Sequence, residues 1–199
     1  MTYTPTAAEV KKLRDATSAG MLDCRNALVE TSGDIDAAVK LLREKGIARA
    51  AKLAERDASE GIVHSYIHGG GRVGVLVEVN CLTDFVANTE PFREFAREVA
   101  MQIAANPQTR YVSREQVPGA DVEAELEIYR VQAADKPENV RDRIAQGKLD
   151  KWYQDICLLE QPYIRDGAQT IEKLRTELAS ATGENIQVRR FARFERGGA

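Results

Sequence analysis

The chain has 199 residues, 43% hydrophobic and 30% charged, which suits one large domain or two unequal ones and excludes wholesale disorder. Its formal net charge of −3 argues against a general nucleic-acid binder, whose phosphate contacts need a basic surplus, while leaving room for a local basic patch. No run approaches the roughly 18 apolar residues of a membrane span, and the opening MTYTPTAAEV lacks the basic and apolar regions of a signal peptide, so the expected location is the cytoplasm.

Thr6-Ala7-Ala8-Glu9 reads as a capping box: the threonine hydroxyl and the glutamate carboxylate satisfy N–H groups that a first helical turn leaves unpaired. Val10 and Leu13 give the following helix its apolar face. A turn at Ser18-Ala19-Gly20 separates it from a second helix carrying Met21, Cys24 and Leu28, which Ser32-Gly33 stops because glycine accepts the left-handed conformation. Asp34 caps a third helix with Ile35, Ala38, Val39 and Leu42 on one face, and Gly46 is expected to end it. Three helices in residues 1–46 make a core so small that a docking module is the natural use. Residues 47–58, IARAAKLAERDA, are Ala-rich and charged and read as a helical linker.

The period then changes from helical to alternating. In RVGVLVEVNC, Val73, Val75, Val77, Val79 and Cys81 share one face, and GIVHSYIH precedes them across Gly69-Gly70-Gly71, so a hairpin is expected. Thr83-Asp84-Phe85-Val86 follows as a connecting segment in which a phenyl ring has no obvious core to fill. Thr89 and Pro91 suit a helix start, and Phe92, Phe95, Val99 and Ile103 recur at helical spacing, as for a helix covering the sheet. Between 120 and 159 two narrow stripes flank Asp135-Lys136-Pro137. Val122, Leu126, Tyr129 and Ala133 form the first, and Val140, Ile144, Leu149, Trp152 and Ile156 the second, suggesting a projecting antiparallel helical hairpin. A helix from Thr170 to Thr182 stopped by Gly183, and a strand with Ile186, Val188, Ala192 and Phe194 in phase, complete the chain. The fold class expected is α+β: a three-helix module, then a small antiparallel sheet covered by helices, within a core domain at 59–199.

Several residues invite chemistry. Asp84 could serve as a base or metal ligand, but no second carboxylate or histidine lies in its segment, and an isolated acid there commonly caps a turn. Gly69-Gly70-Gly71 stands between strands rather than before a helix, which favours a hairpin turn over a phosphate cradle. Cys24, Cys81 and Cys157 form no CxxC pair and read as small buried residues, although Cys81 or Asp84 would be the centre of a hydrolase reading. His64 and His68 are structural or solvated, or in the case of His68 near enough to the turn to reach a partner. Arg189, Arg190, Arg193 and Arg196 form either a salt-paired solvated face or an RNA contact, the latter fitting an RNA-binding translation accessory protein.

EVNCLTDFVA, SYIHGGGRVGVL and the N-terminal LRDATSAGMLDCRNALVETSGDIDAAVKLLREKG together resemble the bacterial elongation factor Ts family, in order and over nearly the whole chain. The resemblance implies a ubiquitin-associated-like fold for the N-terminal module. It also implies a guanine-nucleotide exchange factor, with no catalytic residues, cofactor, metal or direct nucleic-acid contact of its own. The partner would be the GTPase elongation factor Tu, GDP-bound and nucleotide-free. Thr83, Asp84, Phe85 and Val86 would enter it near the Mg²⁺ and phosphate site and dislodge Mg²⁺, with His68 and Met21 as further candidate contacts. Longer members carry two related core halves. This chain has sequence for one, so a homodimer is expected to supply the missing cover.

Overall fold

The computed structural model describes residues 3–17, 19–53 and 57–198, and side chains throughout these except at 47–53 and 138–139. Ser18 of the expected first turn, residues 54–56 of the linker and the side chains of 47–53 lie outside the described residues. The fold is mixed helix and sheet. The chain divides into two compact units, one of residues 1–63, 78–96 and 173–187, the other of residues 64–77, 97–172 and 188–199.

In the first unit, α1 (Ala7–Thr17), α2 (Met21–Glu30) and α3 (Ile35–Leu53) enclose Val10, Leu13, Cys24, Ala27, Leu28, Ala38 and Leu42. The capping box is closed. The Thr6 backbone N–H and hydroxyl both donate to Glu9 Oε2 at 2.7 Å, and the Glu9 N–H returns to Thr6 Oγ1 at 3.3 Å. The Tyr3 hydroxyl donates to Glu9 Oε1 at 2.6 Å. These donors, Tyr3 foremost and then Thr6, hold the Glu9 carboxyl at about 2 against an ordinary 4.5. Because the folded value is the lower one, the box contributes fully above the unfolded pKa and its contribution is lost as pH falls towards about 2. An NMR titration of the Glu9 carboxyl should place its midpoint near the low value. A midpoint at the ordinary one would mean that the box is open in solution.

The stop between α2 and α3 is also as expected. Gly33 has φ 89°, its N–H reaches Leu28 O at 2.8 Å, and a Cβ there would meet the Tyr3 ring at 2.4 Å. Gly46, however, does not end α3, which runs on to Leu53. A Cβ at Gly46 would fall 1.6 Å from Ser180 Oγ and 2.7 Å from Ser180 Cβ. The glycine therefore admits a close neighbour in mid-helix rather than breaking the helix. Arg43 makes an ion pair with Glu177 at 2.8 Å beside this contact, so the N-terminal helices meet the later chain directly as well as through the linker.

β1 (Glu60–His68) and β2 (Val73–Cys81) form the expected hairpin, and with β5 (Gln187–Glu195) they make a three-stranded sheet in the order β1-β2-β5. The alternation holds along β2 as far as Val79: Val75, Val77, Val79 and Cys81 are buried while Leu76 is exposed, but Asn80 is buried too, its side chain donating to Ala58 O at 3.0 Å. α4 (Asp84–Ala87) and α5 (Glu90–Ala105) follow, with Phe92, Phe95, Ala96, Val99, Ala100 and Ile103 of α5 all buried. The apolar spacing read from the sequence thus marks the buried face of that helix.

In the second unit, α6 (Gly119–Gln132) and α7 (Glu138–Ile156) pack on one another across the break at 133–137. Leu149 and Ile156 are buried there, with Val122, Leu126, Tyr129 and Trp152 packed against them, all residues of the two expected stripes, and Tyr153, which belonged to neither stripe, is buried with them. Arg114 lies 4.4 Å over the Tyr153 ring and pairs with Asp150 at 2.9 Å and with Glu160. β3 (Pro162–Tyr163) and β4 (Asp166–Thr170) form a short antiparallel pair. Thr170 therefore closes a strand, and the last helix, α8, is Ile171–Thr182, stopped at Gly183 as expected.

β5 departs from its expected phase. Phe194 is exposed, whereas Arg193 is half-buried, donating to Ala104 O at 3.4 Å and pairing with Glu195 at 2.7 Å. The guanidinium caps a carbonyl near the end of α5, a use of arginine that an apolar pattern does not reveal.

Candidate functional site

The Thr83–Val86 segment is not an open loop but the start of one helical turn, α4. Four residues are far too few for a helix that stands by its own hydrogen bonds, so the turn depends on what surrounds it. Thr83 is extended (φ −132°, ψ 149°) and its Oγ accepts from Val86 N at 3.4 Å, as an N-cap. At the other end Asn88 donates through its backbone and side chain to Asp84 O, at 3.0 and 2.9 Å, and the Thr89 hydroxyl donates to Val86 O at 2.8 Å. Ala87, 4% exposed, pins the turn inward. Val86 is half-buried, and Asp84 is exposed.

Phe85 is 82% exposed. Burying such a ring would bring roughly 1.5–3 kcal/mol, so leaving it in water is not a device of this fold. The arrangement presents a large apolar ring and, one residue earlier, a carboxylate on a turn braced from both ends.

A further residue braces the turn, and the sequence reading missed it. The Glu184 carboxylate accepts from Leu82 N at 3.0 Å, Thr83 N at 3.1 Å and Thr83 Oγ1 at 2.5 Å. It arrives on the segment after Gly183, which adopts φ 69° at the end of α8. A hollow of about 550 Å³ opens there, bordered by Asp57, Leu82, Thr83, Gly183 and Glu184. The one sequence signal was a helix stop followed by a lone acid, too common to notice.

Cys81 is fully buried and donates to Thr83 O at 3.1 Å. Burial foremost, with the nearby Glu184 charge second, pushes its thiol up to about 11, so it is no nucleophile at neutral pH. Among the described residues no group of three His, Cys, Asp or Glu side chains could hold a metal ion.

The structure gathers Thr83, Asp84, Phe85 and Val86 on one turn, and it places the two further candidates elsewhere. Met21, half exposed, opens α2 and lines a cleft of about 730 Å³ with Arg14, Asp23, Lys45 and Ser180. His68 belongs to the other unit; it is exposed and stacks on Tyr66, whose hydroxyl lies 3.0 Å from its Nδ1. No described helix is long and apolar enough to cross a membrane.

The family model for "Elongation factor TS" matches residues 4–197. The elongation factor Ts of Caldanaerobacter subterraneus subsp. tengcongensis is 60% identical over 194 residues, covering 96% of each chain. That of a Thermoanaerobacter species is 57% identical, covering 96% of this chain and 94% of its own. The Carboxydothermus hydrogenoformans protein is 53% identical, covering 96% and 89%. A match of this extent, spanning the braced TDFV turn, leads to one assignment: the chain belongs to the elongation factor Ts family of translation elongation factors.

Proposed function

We propose that the protein is a guanine-nucleotide exchange factor that binds elongation factor Tu·GDP and promotes GDP release. The observation that carries this reading is the 82% exposure of Phe85 on a turn held at both ends. In this reading the ring and Asp84 enter the GTPase near its Mg²⁺ and phosphate groups. The ion is the largest local charge there, and once displaced it no longer neutralises the phosphates, so GDP loses its main electrostatic anchor. Binding reciprocity supplies the rest of the cycle. A protein that prefers nucleotide-free Tu must weaken nucleotide binding, and GTP must expel it in turn.

The N-terminal helices, residues 1–46, serve as a ubiquitin-associated-like docking module joined through 47–58, and the core at 59–199, with its projecting α6–α7 hairpin, engages Tu elsewhere. The test is release of a fluorescent GDP analogue from Tu on adding catalytic amounts of this protein. Release at the unassisted rate would overturn the reading.

A homodimer belongs to the same proposal. In the second unit Ile67, Leu76 and Phe194 are exposed on β1, β2 and β5, and β1 and β5 are the edge strands of the sheet. A second copy offers apolar cover for them. Sedimentation at micromolar protein should report twice the chain mass. A single-chain mass in a preparation that still exchanges nucleotide would remove the dimer from the mechanism.

A further inference from the structure

The turn that presents Phe85 is fastened to a residue 101 positions later in the chain, Glu184. Its two carboxylate oxygens take the Leu82 and Thr83 N–H groups and the Thr83 hydroxyl. These donors sit at the point where β2 ends and α4 begins, so the carboxylate sets the direction in which the chain leaves the strand. The Thr83 hydroxyl is committed twice: it donates to Glu184 and accepts from Val86 N, carrying the constraint from the carboxylate into the turn itself. Glu184 holds the presenting segment through its first residues, Leu82 and Thr83, ahead of Asp84 and Phe85.

We propose that Glu184 is a positioning residue for nucleotide exchange, holding the Thr83–Ala87 turn in the orientation in which Asp84 and Phe85 meet the partner. The inference rests on the exchange reading above. The hollow beside Glu184 decides how its loss would be felt. Water can enter and take over the three donors, so the fold survives removal of the carboxylate. Water does not tie these donors to the end of α8, so the turn loses its fixed bearing. Exchange then suffers because a loosely held ring must be ordered at the step in which it enters the GTPase, after the rest of the protein has docked.

The experiment uses the full chain and Tu loaded with fluorescent GDP, with Glu184→Ala, Glu184→Gln, Phe85→Ala and the Glu184→Ala/Phe85→Ala pair. Glu184→Ala should lower the maximal release rate about tenfold, with the half-saturating concentration changed less than about threefold and melting shifted by only a few degrees. Gln keeps one acceptor oxygen and should fall between Ala and the parent. In the Phe85→Ala background, removing Glu184 should cost less than about twofold, because the residue acts through the ring it positions. Backbone order parameters for residues 84–87 should drop from about 0.85 towards 0.6 in Glu184→Ala without any partner present.

A Glu184→Ala protein that releases GDP at the parental rate would overturn the inference. So would a loss that multiplies in full with that of Phe85→Ala. If Phe85→Ala itself exchanges normally, the exchange reading falls, and the order parameters alone decide whether Glu184 holds the turn: unchanged values reject it.

Discussion

Replacing Phe85 by alanine is expected to slow stimulated GDP release by roughly ten- to a hundred-fold and to leave the melting temperature where it was. The ring is 82% exposed, so the fold stands to lose little, and exposed substitutions usually stay within about 0.5 kcal/mol. Alanine is also the better helix former, by a few tenths of a kcal/mol, at a position inside α4. An aromatic anchor seated in a partner's pocket is different: its truncation commonly costs 2 kcal/mol or more, and about 1.4 kcal/mol is tenfold.

The control is Phe95→Ala. That side chain is 7% exposed on the buried face of α5, and emptying such a site costs about 3–5 kcal/mol. For a chain of this length that lowers melting by on the order of 10 °C. Any material still folded should exchange at close to the parental rate. Stopped-flow release and thermal melts on the same two preparations separate the cases. Early melting with normal exchange in Phe85→Ala would show that the ring serves the core after all.

The two phenylalanines also show what can be read from a sequence and what cannot. Phe95 belongs to a run, Phe92, Phe95, Val99, Ile103, whose spacing marks a buried helical face without any knowledge of the rest of the chain. The alternation along β2 and the Thr6–Glu9 box are legible for the same reason: each is closed within a few residues. Phe85 sits in a single turn that no periodic window can detect, and its significance came from resemblance of the surrounding EVNCLTDFVA rather than from pattern. What was invisible is long-range. Glu184 completes the turn from 101 residues away, and hydrogen bonds between distant polar residues leave no periodic trace. β3 and β4 are too short to alternate. On β5 the inward place went to Arg193, held by a carbonyl and a carboxylate, while Phe194 was left outside. Hydrophobicity alone would have chosen the reverse.

Gly46→Ala is the second substitution with a large expected effect, and its sign is the informative part. On a solvated helix the change would stabilise by about 0.5–1 kcal/mol, since glycine pays the greater backbone entropy. Here the new methyl would lie 1.6 Å from Ser180 Oγ, 2.7 Å from Ser180 Cβ and 3.3 Å from Ser180 Cα. Rotating the hydroxyl away relieves only the first of these. The Cβ contact is still closer than real side chains tolerate, so the α3 and α8 backbones must move apart and strain the Arg43–Glu177 pair beside them. Overpacking of this kind typically costs about 1–3 kcal/mol, which exceeds the propensity gain. The melting temperature should therefore fall by several degrees, at about 2–4 °C per kcal/mol for a chain of this size. The clash can be removed from the other side. Ser180→Gly deletes both offending atoms and leaves only the 3.3 Å approach to Cα, which small adjustments absorb. The Gly46→Ala/Ser180→Gly protein should thus melt above Gly46→Ala, even though glycine at 180 weakens α8 on its own account. A higher melting temperature for Gly46→Ala alone would mean that the two helices do not approach so closely in solution. Gly46 would then be an ordinary weak point in α3, kept for no packing reason.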